Sequence, residues 1–262
     1  MKTNYISLAK DGSMLRSLSL ALTMLILAAL PCTGVAGQVR VAVAANFAEP
    51  AQDLATAFRI RTGDTVVLSP GSSGQLYVQI AHGAPYEVFL SADVDQPARA
   101  EINGLSVKGT RFTYGTGRLV LYSTRSGLVM DKGAVLGAGD FNKLAIADPA
   151  TAPYGRAAVE TLRKIGLYDR VSPKLVTGTS ITQAFQFVET GAADLGFVAL
   201  SQVIRKPGGS RWLVPVSHHA PVAQQAVLLK RGDSNPAARR FLAFLKSREA
   251  RSIISSYGYE VP

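Results

Sequence analysis

Short apolar runs rich in β-branched residues alternate with helix-period stretches through most of the chain, and this alternation is what most narrows the possible folds. Strands are predicted at residues 39–43, 65–68, 88–90, 119–122, 144–147, 174–177, 195–199, 212–216 and 226–229. Between them apolar residues recur at helical spacing. Phe47, Ala51, Leu54, Ala55 and Phe58 precede Gly63, and Leu76 and Ile80 share a second face. Ala158, Val159, Leu162 and Ile165 precede Gly166, and Phe185 and Val188 precede Gly191. A last helix is predicted from Pro236 through Phe241, Phe244 and Leu245 towards Ile254. Strands this short, separated by helices, predict α/β architecture with largely parallel sheets, because a parallel neighbour needs a crossover and a helix supplies it.

At 262 residues the chain can bury one large core or two modest ones. Gly115-Thr116-Gly117 breaks the pattern before the strand at 119–122, and His218-His219-Ala220-Pro221 breaks it before 226–229. Reading both as crossings gives a first lobe from 38–116 and 223–262 and a second lobe from 117–222. The C-terminal helix would then pack back on the first lobe.

Residues 1–36 read as a signal peptide. Arg16 precedes an apolar core at 18–30, followed by Pro31 and the small-residue tail Gly34-Val35-Ala36-Gly37. That core is too short for a comfortable membrane span. Met14 is a second candidate start. The single cysteine, Cys32, lies inside this leader, and Pro31 before it fits a lipidation box poorly, so it reads as a cysteine lost on cleavage. A mature chain without a thiol excludes disulfides and cysteine-based metal or redox chemistry.

The formal charge is +10, of which Lys2, Lys10 and Arg16 against Asp11 place +2 in the leader and leave +8 for the remainder. The basic residues, among them Arg59, Arg61, Lys164, Lys174, Arg205, Arg240 and Arg251, are scattered and not interleaved with aromatics. That pattern reads as a solvated surface and argues against a nucleic-acid partner.

Four predicted strands run into a turn of small polar residues that opens a helix. Asn46 follows the first, with Glu49 three residues on and Pro50 in the first turn, a capping-box pattern. Gly71-Ser72-Ser73-Gly74 follows the second, with Gln75 three residues after Ser72. Asp148-Pro149-Ala150-Thr151-Ala152-Pro153-Tyr154-Gly155 follows the strand ending at Ala147. Thr179-Ser180-Ile181 follows the strand at 174–177, with Gln183 three residues after Ser180. Helix N-termini present free N–H groups and the positive end of the helix dipole, and in an open parallel sheet such turns share one edge. Each turn alone reads as a well-capped helix. Four together, in an exported chain with no catalytic set, point to a small anion held from two lobes. Gly71-Ser72-Ser73-Gly74 is not a nucleophile elbow, and His82, His218 and His219 lack the partners of a triad or a metal site, so a secreted hydrolase is the weaker reading.

In their order along the chain, Val43-Ala44-Ala45-Asn46-Phe47, Gly71-Ser72-Ser73-Gly74-Gln75-Leu76, Gly83-Ala84-Pro85 with Val88-Phe89-Leu90-Ser91-Ala92-Asp93, Gly117-Arg118-Leu119-Val120-Leu121, Ala147-Asp148-Pro149 and Tyr257-Gly258-Tyr259 resemble the periplasmic molybdate-binding proteins of ABC importers. The resemblance runs from about Val39 to Pro262. It implies an α/β, two-lobed type II periplasmic binding protein fold, each lobe a mixed, mostly parallel sheet flanked by helices. It also implies a monomer that captures molybdate or tungstate in the periplasm, without an enzymatic step or a cofactor. Delivery would be to a permease and its ATPase, with the membrane reached only through the permease.

Carried over residue by residue, the resemblance puts Asn46, Ser73 (hydroxyl and backbone N–H), Tyr154 and the backbone N–H of Ile181 at the ligand. The metal is then met only as its oxyanion, with no direct cation ligand. Some members have a ligand tyrosine at a later strand end; here that position is Ala199, and Tyr154 is expected to take its place. Glu87 in place of the family's usual Asp reads as neutral, and Ser201 is expected to take no part. Molybdate has four acceptor oxygens and no donor at neutral pH, so a lining made only of N–H and O–H donors suits it. The residues themselves leave another small anion open, sulfate or phosphate among them, although phosphate would call for a carboxylate facing its proton and none is evident at the turns.

Export is expected to end in cleavage near Ala36 or Gly37. N-terminal sequencing of the exported protein checks this, and a lipidated chain beginning at Cys32 would overturn it.

Overall fold

The computed structural model describes residues 1–4 and 36–262. Residues 5–35, which hold the apolar core of the expected signal peptide and Cys32, lie outside the described residues. Among the described residues no helix is long and apolar enough to cross a membrane.

In chain order the elements are β1 (Gln38–Ala44), α1 (Ala48–Thr62), β2 (Thr65–Gly71), α2 (Ser73–Ala81), β3 (Val88–Ser91), α3 (Asp95–Ile102), β4 (Phe112–Gly117), β5 (Leu119–Ser123), α4 (Val135–Ala138), β6 (Leu144–Ala147), α5 (Pro153–Lys164), α6 (Tyr168–Val171), β7 (Leu175–Gly178), α7 (Ile181–Glu189), β8 (Leu195–Ala199), α8 (Leu200–Val203), β9 (Ser210–Leu213), β10 (Val222–Leu228), α9 (Pro236–Phe244) and α10 (Arg248–Ser256). They form two five-stranded sheets, ordered β2-β1-β3-β10-β4 and β7-β6-β8-β5-β9. With helices flanking each sheet, this is the two-lobed type II periplasmic binding protein architecture.

In each sheet four strands share a direction and one opposes them: β10 is antiparallel to β3 and β4, and β5 is antiparallel to β8 and β9. The opposing strand is in each case the first that the chain forms after crossing between sheets. The parallel strands point their carboxyl ends at the cleft, so a chain arriving from the cleft must run against them. Half of the strand pairings are therefore antiparallel, more than strand–helix alternation suggests.

Three expectations need correction. Gly115-Thr116-Gly117 is not a break but the end of β4, paired with β10 through Thr116–Ala223 and Gly117–Val222. Its glycines hide the strand signal, and Gly117 is needed because a Cβ there would overlap the Tyr154 hydroxyl. The strand expected at 212–216 starts earlier, at Ser210, and stops at Leu213, ahead of Pro215. The single C-terminal helix is two: Ser247 interrupts it and its Oγ accepts from the Ala250 N–H at 3.1 Å, capping α10.

Alternation along β1 divides the first lobe's core. Val39, Val41 and Val43 face Leu54 and Phe58 of α1, together with Phe241, Phe244 and Ile254 of the C-terminal helices. Ala42, on the other face, packs with Leu76, Tyr77, Ile80 and Phe89. The rings of Phe58 and Phe241 meet edge to face, 5.2 Å apart, worth about 0.5–1.5 kcal/mol beyond their buried area. α1 ends where Gly63 takes φ 79°, its N–H donating to the Arg59 carbonyl. In the second lobe β5, β6 and β8 are buried on both faces, and their core takes in Ala44, Ala45 and Ala92 from the first. Apolar packing thus runs across the cleft.

Gly155, in the first turn of α5, packs directly on the backbone at the end of β6: a Cβ there would overlap the Ala147 carbonyl. Gly155→Ala is expected to push α5 off the sheet and lower stability by about 1–3 kcal/mol, read by denaturant unfolding.

Candidate functional site

The four strand-end turns meet at the cleft, two from each lobe. β1 leads into a 3-10 turn over Ala45–Phe47, β2 into α2, β6 into the loop before α5, and β7 into α7. Together they line one small cavity, of about 10 Å3, whose walls include Asn46, Ser72, Ser73, Tyr154 and Ile181. Asn46, Ser73, Tyr154 and Ile181, singled out from the sequence, are therefore brought together. Among the described residues no charged side chain lines this cavity. Ala199 instead lies in the core of the second lobe, its N–H donating to Gln202 Oε1 at 3.0 Å. Glu87 is engaged at the far end of the first sheet, accepting from the Arg40 N–H and from Asn235.

Only one of the four turns is capped as expected. Ser180 Oγ accepts from the Gln183 N–H, while Gln183 Oε1 accepts from the Thr179 N–H. Asn46 caps nothing: it sits inside the 3-10 turn, and its Nδ2 donates to Gln224 Oε1 at 3.0 Å and to the Tyr259 hydroxyl oxygen at 2.9 Å. Ser72 holds the N-cap position of α2 without a side-chain cap bond. Its Oγ is buried and has no partner, although the Gln75 spacing makes Ser72 read as a cap in the sequence. A buried hydroxyl left unpaired costs free energy unless something in the cavity receives it. The Ser73 hydroxyl oxygen accepts from the Ala92 N–H at 2.9 Å, which leaves its own proton to be donated elsewhere.

Behind the cavity lies a buried polar network that sequence reasoning missed. Gln224 Oε1 also accepts from the Tyr114 hydroxyl at 2.9 Å, and Gln224 Nε2 donates to the Tyr154 hydroxyl oxygen at 3.3 Å. The Tyr259 hydroxyl is within donating reach of the Asn46 carbonyl at 3.0 Å and of Ser201 Oγ at 3.1 Å, and Ser201 Oγ donates to the same carbonyl at 2.8 Å. Ser201, expected to stand apart, thus joins the lobes. Burial pushes the phenols of Tyr114 and Tyr154 well above their ordinary range, with their tyrosine neighbours adding to it, and pushes Tyr259 up to about 12. All three keep their protons and remain neutral donors.

The lobes are closed on the cavity. The Gly74 N–H donates to the Thr151 carbonyl at 3.0 Å, Thr182 Oγ1 donates to the Ala45 carbonyl at 3.3 Å, and Arg156 pairs with Asp93 at 2.9 Å. A larger cavity, of about 280 Å3, flanks this ion pair, but Asp93, Asp95 and Glu160 line it and would repel an anion. Among the described residues no group of three or more His, Cys, Asp and Glu side chains is placed to hold a metal ion. The smaller cavity combines helix N-termini, hydroxyls and neutral walls, which suits a compact anion stripped of water.

Comparison with known proteins gives the same direction. The family model for bacterial extracellular solute-binding proteins matches residues 39–260. The molybdate-binding protein of Rhodobacter capsulatus is 52% identical over 245 residues, 94% of this chain and 96% of its own. That of Azotobacter vinelandii is 50% identical over 233 residues, covering 88% and 92%. The solved structure of the Azotobacter vinelandii periplasmic molybdate-binding protein superposes with a TM-score of 0.84 at 41% identity, covering 86% of this chain and 99% of that one.

Proposed function

From the premise that the chain belongs to the family of bacterial extracellular solute-binding proteins, we propose that it binds molybdate, and tungstate with it, in the periplasm and delivers it to the permease and ATPase of an ABC importer. The observation that carries this reading is the closed cavity walled by helix N-termini and hydroxyls, with no carboxylate and no cationic side chain among the described residues that line it. Each wall offers donors. Ser72 and Ser73 offer hydroxyl protons, α2 and α7 offer their first N–H groups, at Ser73 and Ile181, and Tyr154 offers its phenol. Asn46 contributes through its backbone, since its carboxamide is committed to Gln224 and Tyr259.

A dianion with four acceptor oxygens satisfies such donors and meets no opposing lone pair. Monohydrogen phosphate would bring a proton with no carboxylate to receive it. Sulfate is smaller and is expected to reach fewer of the donors at once. The protein in this reading is a monomer that transports without catalysing, and it works without a cofactor.

Calorimetry at neutral pH is expected to give one-to-one binding of molybdate and tungstate, with sulfate and phosphate weaker by at least about a hundredfold, or about 2.7 kcal/mol. Equal affinity for sulfate would overturn the size argument. Tyr154→Phe and Ser73→Ala are each expected to lower molybdate affinity by about 1.5–3 kcal/mol, the worth of a hydrogen bond to a charged group. Unchanged affinity in Tyr154→Phe would place the phenol outside the set of ligand donors.

A further inference from the structure

We infer that Gln224 is a positioning residue that sets the direction of the hydrogen bonds reaching the anion, by occupying the Tyr154 oxygen from behind so that the phenol proton faces the cavity. The inference rests on the anion-binding reading above. Gln224 has no solvent exposure and sits on β10, the strand by which the chain returns to the first lobe, at a bulge where the pairing with β4 slips between Gln224 and Gln225. Its amide has little choice of orientation. Oε1 faces two donors, Asn46 Nδ2 and the Tyr114 hydroxyl, so Nε2 must face Tyr154.

A phenol has one proton and can place it on only one acceptor. With the Gln224 N–H on its oxygen, the Tyr154 proton has two destinations, the neighbouring Tyr259 oxygen or the cavity. The Tyr259 oxygen already accepts from Asn46 Nδ2 at 2.9 Å, and an anion is the stronger acceptor. Space is also limited. A Cβ on Gly117 would overlap the Tyr154 hydroxyl and lie 2.7 Å from Gln224 Nε2, so the bare backbone of β4 lets this pair form.

The groups facing Gln224 are the phenols of Tyr114, Tyr154 and Tyr259, with the Asp93 carboxylate, held by Arg156, acting on Tyr114 from beyond. In Gln224→Glu an ionised carboxylate would have no proton to give. It would draw the Tyr154 proton back and turn phenol lone pairs towards the ligand. Protonated, it could donate again, and burial raises a carboxyl group's pKa towards neutrality.

The test is molybdate affinity by calorimetry at about pH 8 and about pH 6 for the wild type, Gln224→Glu, Tyr154→Phe and the double variant, with Gln224→Met as a neutral variant. The wild type is expected to bind with less than about threefold change between the two pH values. Gln224→Glu should bind at least about a hundredfold more weakly at the higher pH and recover at least about tenfold at the lower. In the Tyr154→Phe background that recovery should fall to about threefold or less, the share due to charge alone. Gln224→Met should lose about as much as Tyr154→Phe, with no further loss when the two are combined. Equal recovery in both backgrounds, or additive losses for Gln224→Met and Tyr154→Phe, would overturn the positioning role. A wild type that binds no molybdate would instead overturn the function on which it rests.

Discussion

Backbone N–H groups at the start of a helix carry only partial charge, and in water they compete poorly for an anion that water already solvates well. They become effective when several converge and solvent is removed, because the same dipoles act far more strongly in a medium of low dielectric constant. That requirement governs the structure. A single lobe brings its strand-end turns to one edge but leaves that edge wet. Two lobes meeting edge to edge bury it, and the price is a chain that must cross between sheets twice.

Those crossings explain features that are otherwise unrelated. A chain entering a sheet from the cleft must run against the strands whose carboxyl ends point there, which puts one opposing strand in each sheet. These strands, β5 and β10, lie between others rather than at an edge, so the crossing is held by hydrogen bonds on both sides. Because β10 returns through the cleft, a side chain on it can reach both lobes: Gln224 touches Asn46 and Tyr114 of the first and Tyr154 of the second. Sheet topology thereby places a buried amide directly behind the cavity wall.

The strand-end turns were legible in the sequence because each is local: an apolar run, two or three small polar residues, then a helical period. Their meeting place was legible for the same reason, since parallel strands put such turns on one edge. What lies behind them was not. Asn46 and Gln224 are separated by 178 residues, Asn46 and Tyr259 by 213, and Tyr114 and Gln224 by 110, and such pairs leave no periodicity. Local pattern also misled where one residue type serves two purposes. Asn46 and Ser72 stand at the spacing of helix caps, yet one is turned into the buried network and the other is left without a partner beside the cavity. β4 escaped notice because Gly115 and Gly117 weaken a strand signal, and Gly117 is what close packing against Tyr154 demands.

Residues 37–262 carry a formal charge of +8, yet among the described residues no Lys or Arg lines the cavity, and Arg156, on its flank, is committed to Asp93. The two arrangements answer different physical needs. Scattered surface cations raise the local concentration of any anion, but at physiological ionic strength their reach is only about 8 Å and they do not distinguish one dianion from another. A buried ammonium or guanidinium would add attraction without selectivity, and it would have to be desolvated before a ligand arrived. Neutral dipoles fixed by helices and by Gln224 carry a smaller desolvation cost. Their positions are set by backbone geometry, so an anion of the wrong size or with a misplaced proton leaves donors or acceptors unpaired. An unpaired buried polar group costs about 1–3 kcal/mol, so two of them at about 1.4 kcal/mol each already separate ligands by about a hundredfold. Selectivity in such a site therefore follows from how rigidly its donors are aimed, which places the decisive side chains behind the cavity wall as much as on it.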